Sequence, residues 1–126
     1  MVPHILQVAY YPNLKETRAK ILEAAGYRVT SVLVNHNAVK LNRRLMKTAD
    51  LVLVGFSGPK AAREAVVRWI KRHYADLPVV VQVKEWEKFP EADATASLQD
   101  PSFWLAAIAN ILKTTAKAAP SRRFSR

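Results

Sequence analysis

The stretch Asp50-Leu-Val-Leu-Val-Gly-Phe-Ser-Gly-Pro59 decides the fold. Leu51 to Val54 is apolar without alternation, the pattern of a strand covered on both faces in the middle of a parallel sheet. Gly55 to Gly58 reads as a loop, and Pro59 is expected at the first position of a helix, where its missing N–H is no loss. Ala62, Ala65, Val66, Trp69, Ile70 and His73 then recur at helical spacing, with Lys60, Arg63, Arg68, Lys71 and Arg72 on the opposite face.

The same strand–helix alternation continues on both sides of this unit. Ile5 to Ala9 is a short buried strand. Pro12 and Asn13 punctuate, and Asn13 with Glu16 has capping-box spacing. Leu14, Ile21, Leu22 and Ala25 mark a first helix that Gly26 ends. Tyr27 to Val34, rich in Val and Thr, is a second strand. Ala38, Leu41, Leu45 and Met46 line one face of a second helix, and Lys40, Arg43, Arg44 and Lys47 the other. Downstream, Asp76 and Pro78 mark the start of a fourth strand over Leu77 to Val81, while Lys84 to Thr95 shows no periodicity. Asp100-Pro101 supplies a cap and a first-turn proline for a last helix, with Phe103, Trp104, Ala107, Ile108, Ile111 and Leu112 on its apolar side. No internal repeat is present. Alternating strands and helices imply a parallel, doubly wound α/β sheet. Its functional edge is formed by the loops at the carboxyl ends of the strands, here near Ala9, Val34, Gly55, Gln82 and Ser97.

The chain has 126 residues, enough for one domain, and no cysteine, which excludes disulfides and thiol chemistry. The apolar runs are too short to span a membrane. The beginning, MVPHILQV, lacks the basic and long apolar regions of a signal peptide, so a cytoplasmic location is expected. Net charge is +10. Residues 1–72 hold 13 basic and 4 acidic side chains, residues 73–112 hold 2 and 6, and residues 113–126 hold 5 and none. Residues 1–113 are expected to form the domain and 114–126 a basic, flexible tail.

Several of these stretches, in this order, resemble the response-regulator receiver family, over roughly residues 4–113. Ile5-Leu-Gln-Val-Ala-Tyr-Tyr-Pro12 is similar to its first strand and acidic turn. Leu22-Glu-Ala-Ala-Gly-Tyr-Arg-Val29 is similar to the junction of first helix and second strand. The stretch from Asp50 to Pro59 resembles the phosphorylation-site strand with its following proline, Asp76-Leu-Pro-Val-Val-Val81 the fourth strand, and Asp100-Pro101 the start of the last helix. The resemblance implies a flavodoxin-like sheet of five parallel strands in the order 2-1-3-4-5. Lys84 to Gln99 is short for the family's fourth helix and fifth strand together, so that helix is expected to be a turn or missing.

The resemblance also implies a phosphotransfer site, and there the residues depart from it. An Asp nucleophile, two acids holding Mg²⁺, a hydroxyl and a Lys would be needed. The acceptor position falls on Gly55, the acidic pair on Ala9 and Tyr10, the hydroxyl on Val83 and the Lys near Ser97. None of the required groups stands there. Asp50 lies five residues before Gly55, roughly 16 Å away at about 3.3 Å per residue, at the other end of the strand. The expectation is an atypical receiver unable to form an aspartyl phosphate. Tyr10 has two readings: it fills the vacated acidic pocket, or it packs as an ordinary hydrophobe.

Other chemistries find little support. His4, His36 and His73 have no partner at metal-ligand spacing, no phosphate-binding glycine motif is present, and no cofactor is expected. Glu85, Glu87, Glu91 and Asp93 read as a solvated, self-repelling loop. Three functions compete. The first is a phosphorylation-independent signalling or protein-interaction module, with a protein partner or homodimer on an acidic face that includes Trp86, Phe89, Phe103 and Trp104; core packing is the other reading of Trp104. The second is nucleic-acid binding through the tail and the basic helix faces (Lys40, Arg43, Arg44 and Lys47, then Arg63, Arg68, Lys71 and Arg72), without any accompanying nucleic-acid motif. The third, an enzyme on the same scaffold, lacks a nucleophile–base pair or paired carboxylates, so no catalytic residue is assigned.

Overall fold

A computed structural model of the chain describes residues 2–34, 42–84 and 86–118. The elements are β1 (His4–Ala9), α1 (Pro12–Ala24), β2 (Arg28–Leu33), α2 (Arg43–Thr48), β3 (Leu51–Val54), α3 (Lys60–His73), β4 (Val79–Val83), β5 (Ala94–Ser97) and α4 (Pro101–Ala118). The five strands form one parallel sheet in the order β2-β1-β3-β4-β5. Val8 stands opposite Val54, Val54 opposite Val81, and Val83 opposite Ser97, so the carboxyl ends of these strands meet along one edge.

Side-chain alternation divides the core in two. Leu6, Val8, Val52, Val54, Val79 and Val81 pack against Met46 of α2 and the inner side of α3. Ile5, Leu51, Leu53 and Val80 point the other way, against Leu22 of α1 and Trp104 and Ile108 of α4. The strands β1, β3 and β4 are buried throughout, which is why they lack polar alternation.

Boundaries moved where a proline decides them. The Asn13–Glu16 capping box does not form: Pro12 already begins α1, its cap is Tyr11 without a side-chain bond, and the Asn13 carbonyl instead accepts from Thr17 Oγ1 at 3.0 Å. Pro59 is the cap of α3 rather than its first residue. The fourth strand begins at Val79, two residues later than expected, because Pro78 has no N–H for the ladder, though its carbonyl accepts from Val52 N at 2.9 Å. Gly26 follows α1 at φ 99°, a conformation that glycine adopts freely. The face of α3 is also turned relative to expectation: Arg63 and Val67 point inward with Ala62, Val66 and Ile70, while Trp69 is half-buried. The last helix runs to Ala118, so residues 114–118 are helical; residues 119–126 lie outside the described residues.

Among the described residues between β4 and β5 there is no helix, only turns closed by Glu87 N to Lys84 O and Ala92 N to Phe89 O. The expected self-repelling acidic loop is corrected. Glu87 pairs with Arg63, Glu91 with Arg68 at 3.3 Å and Asp93 with Lys71 at 2.8 Å, all three bases coming from α3 (Glu85 lies outside the described residues). Asp93 also accepts from Val79 N at 2.7 Å. Phe89 enters the core beneath α3, with the Arg63 guanidinium 5.1 Å from its ring centre. The pairs of Arg68 and Lys71 are open to water and are worth about 0–1 kcal/mol each. The Arg63–Glu87 pair is buried, so its integrity matters more than its net strength.

Hydrogen bonding from Arg63 holds the Glu87 carboxyl below the usual carboxylate range, partly opposed by burial. A carboxyl depressed in the folded state stabilises above its ordinary value of about 4.3, and that stability is lost as pH falls through the lower folded value. Glu87→Gln is expected to cost about 3 kcal/mol at pH 7, because it strands the buried Arg63 charge. It is also expected to flatten part of the acid limb below about pH 4.3. Urea denaturation at neutral pH and at pH 3 checks both; an unchanged acid limb would contradict the pairing.

Candidate functional site

The sheet register carries Ala9, Tyr10, Gly55, Val83 and Ser97 to one edge. Ala9, Val83 and Ser97 end their strands, while Tyr10 and Gly55 follow theirs directly. Gly55 N donates to Val8 O at 2.9 Å and Leu98 N to Val83 O at 3.3 Å, which extends the pairing to the lip of the sheet. Asp50 sits at the opposite edge, where it accepts from His4 N at 2.7 Å. The His4 ring is engaged there too, with Thr30 Oγ1 at 2.7 Å and Thr48 O at 3.1 Å.

Tyr10 is buried in the apolar cluster beneath α3. Its ring covers Gly58 so closely that a Cβ there would stand 2.8 Å from ring carbons, which is why the loop needs glycine. Burial pushes the Tyr10 hydroxyl up, partly opposed by the nearby charge of Arg63. Arg63 Nε donates to Gly58 O at 2.8 Å and so fixes this loop from below.

The other face holds a residue that the sequence analysis missed. Arg18 of α1 is 4% exposed and lies against Gly55; a Cβ on Gly55 would come within 2.7 Å of its Nη1. Nη1 donates to Gln7 Oε1 at 2.9 Å, and Gln7 Nε2 donates in turn to Ser31 Oγ at 2.8 Å and Lys15 O at 3.0 Å. The guanidinium is 6.0 Å from the Phe56 ring centre. Burial lowers Arg18 to about 10, so it remains a cation at neutral pH, and among the described residues no carboxylate forms an ion pair with it. Its signature was an interruption: Arg18 occupies the place between Leu14 and Leu22 in an otherwise apolar stripe.

This edge does not fit a divalent cation. Mg²⁺ is held by carboxylate oxygens, whereas Ala9, Tyr10 and Gly55 supply none and Arg18 adds a positive charge beside Gly55. Among the described residues, no group of three His, Asp or Glu could hold a metal ion. Two cavities open here. One, of about 130 Å³, lies between α1 and the start of α4 and is lined in part by Arg18, Phe56, Gln82 and Trp104. The other, of about 280 Å³, lies at the ends of β4 and β5, lined by Val83, Lys84, Trp86, Ser97, Leu98 and Gln99.

The expected partner face is only partly exposed. Trp86 is 76% and Phe103 54% exposed, but Phe89 and Trp104 are buried in the two cores and are withdrawn from it. The face is also less acidic than expected, since Glu87, Glu91 and Asp93 pair with α3. The basic surface shrinks likewise. Arg63 is buried, Arg68 and Lys71 are paired, Arg43, Arg44, Lys47 and Arg72 are exposed, and Lys40 lies outside the described residues.

No family model matches the chain, and no curated protein matches it. Solved structures do, and those most similar include receiver domains. The response regulator protein TrrA from Thermotoga maritima, solved in complex with Mg²⁺-BeF, is 19% identical with a TM-score of 0.70, covering 88% of this chain and 99% of its own. A CheY-like response regulator receiver domain from Methanospirillum hungatei is 16% identical with a TM-score of 0.72, covering 93% and 98%. The signal receiver domain of a signal transduction histidine kinase from Syntrophus aciditrophicus is 23% identical with a TM-score of 0.68, covering 93% and 94%. The chain therefore has the CheY-like, flavodoxin-type fold, with four helices around the sheet among the described residues.

The contact of Arg18 with Gly55 is open to a direct check. Gly55→Ala drives a methyl group into the guanidinium and is expected to cost about 1–3 kcal/mol. Gly55→Asp places a carboxylate beside the same cation and is expected to melt above Gly55→Ala, with the difference lost in an Arg18→Met background. A Gly55→Asp protein less stable than Gly55→Ala would contradict this placement.

Proposed function

We propose that this chain is a receiver-like module for signal transduction that works through protein contacts and without an aspartyl phosphate. The observation that carries the reading is the carboxyl edge itself: glycine stands at the expected acceptor position, alanine and tyrosine at the metal-binding positions, and a buried guanidinium fills the space beside them. Phosphoryl transfer to a carboxylate needs both a nucleophile and neutralisation of the phosphoryl charge by a metal. The side chains at this edge supply neither. Under this reading the chain is not an enzyme, carries no cofactor and acts in the cytoplasm.

Incubation with acetyl phosphate and Mg²⁺ followed by intact-mass measurement is expected to show no gain of one phosphoryl group. A base-labile, acid-stable gain on an aspartate would overturn the reading.

The same reading places the partner surface at exposed Trp86, on the β4–β5 connection, and exposed Phe103, in the first turn of α4. A second copy of the chain is the proposed partner. Light scattering is expected to show a dimer that Trp86→Ala weakens; a monomer up to high micromolar concentration would remove the homodimer. Nucleic-acid binding loses support, because Arg63, Arg68 and Lys71 are committed to the chain's own acidic residues.

A further inference from the structure

The cavity of about 130 Å³ between α1 and α4 combines two buried polar groups with an apolar wall; exposed Thr17 also lines it, its hydroxyl donating to Asn13 O. One is the Arg18 guanidinium, which carries five N–H donors and no acceptor and has no carboxylate partner among the described residues. The other is Gln82, 2% exposed, whose Oε1 is buried and has no hydrogen-bond partner among the described residues. The wall around them includes Leu14, Ile21, Phe56 and Trp104.

Each polar group is costly as it stands. A buried charge demands a counter-charge, and a buried carbonyl without a donor loses its hydration for nothing in return. Both are unmet in one cavity, at the functional edge of the sheet, and their needs are complementary. The guanidinium asks for an anionic acceptor, best a carboxylate that can take two parallel N–H bonds. The Gln82 carbonyl asks for an O–H or N–H donor. The volume is near the ~150 Å³ of a cavity that accepts benzene.

We propose that this cavity is a binding site for a small organic monocarboxylate that also carries a hydroxyl or amine donor, with an apolar body of about one ring. Arg18 binds the carboxylate and Gln82 accepts from the donor. Ile21, Phe56 and Trp104 cover the apolar body. The proposal deepens the signalling reading, since a diffusible anion seated beside Gly55 would take the place of a covalent phosphoryl group. Only that consequence rests on the earlier reading; binding itself is tested separately from phosphorylation.

The test is calorimetric titration of the full chain with 3-hydroxybenzoate, benzoate, benzyl alcohol and inorganic phosphate. Saturable binding of 3-hydroxybenzoate at one site is expected, with benzoate about 5- to 10-fold weaker for one lost hydrogen bond and no binding of benzyl alcohol. Arg18→Met is expected to lose at least 100-fold in affinity, and to cost some stability as well because the buried Gln7 Oε1 loses its Nη1 donor. A merely structural Arg18 would lower the melting temperature while leaving the carboxylate affinity of the folded chain unchanged. Gln82→Leu is expected to erase the preference for 3-hydroxybenzoate over benzoate, and serves if Arg18→Met does not fold. The proposal is overturned by any of four results: no saturable carboxylate binding up to millimolar concentration, equal binding of benzyl alcohol, phosphate binding more tightly than the carboxylates, or unchanged affinity in Arg18→Met.

Discussion

The Arg63–Glu87 pair is the contact on which the carboxyl edge of this sheet depends. Its guanidinium lies under three structures at once: it pairs with Glu87 of the β4–β5 connection, donates to the Gly58 carbonyl and lies against the Phe89 ring. A connection without a helix has few backbone bonds of its own and would leave the side of β4 next to α3 uncovered. Phe89 supplies the cover and Glu87 the anchor. Removing either ionic partner would leave the other buried and unpaired, the costly half of a buried salt bridge. The two outer pairs, Arg68–Glu91 and Lys71–Asp93, follow the same direction along α3 but lie in water and add little.

Arg18 is the counterpart on the opposite face. Each side of the sheet thus carries one buried guanidinium near the carboxyl edge, and the two differ in what satisfies them. Arg63 has an acid, a backbone carbonyl and an aromatic face. Arg18 has the Gln7 amide, the Phe56 ring and a cavity, with no acid among the described residues. No carboxylate stands at Ala9, Tyr10 or Gly55, and Gly55 and Gly58 are held to glycine by the close approach of Arg18 and Tyr10 respectively. Part of the net charge of +10 lies inside the molecule, on Arg18 and Arg63.

Much of the fold was legible in the sequence because it depends on short-range patterns. The unbroken Leu51–Val54 run and the glycine after α1 each point to the observed element by a local rule, while the reduced connection between Lys84 and Gln99 follows only from what the resemblance implies. The candidate site was legible only as a set of positions, since strand ends can be counted along the chain. Its chemistry was not. Arg18 and Arg63 lie on helices, where a basic residue is ordinarily assigned to the solvent face. Burial of Arg63 turns on a partner 24 residues away, on a loop without periodicity. The same holds for the acidic loop: counted alone, its charges repel, and only the packing of the loop against α3 makes them partners. The resemblance points to a partner face around Phe89 and Trp104, with core packing the other reading of Trp104; among the described residues no helix lies between β4 and β5, so Phe89 serves as cover, and α4 turns Trp104 into the core against β3 and β4.

The most direct measurement is an amide NMR titration of the whole chain with Mg²⁺, followed by beryllofluoride, the phosphoryl analogue seen in the TrrA complex. With no carboxylate at Ala9, Tyr10 or Gly55, the amides at the ends of β1, β3, β4 and β5 are expected to show no saturable, Mg²⁺-dependent shift. Saturable Mg²⁺-dependent shifts at Gly55 and Val83 would contradict the reading of this edge as one without metal-assisted phosphoryl chemistry.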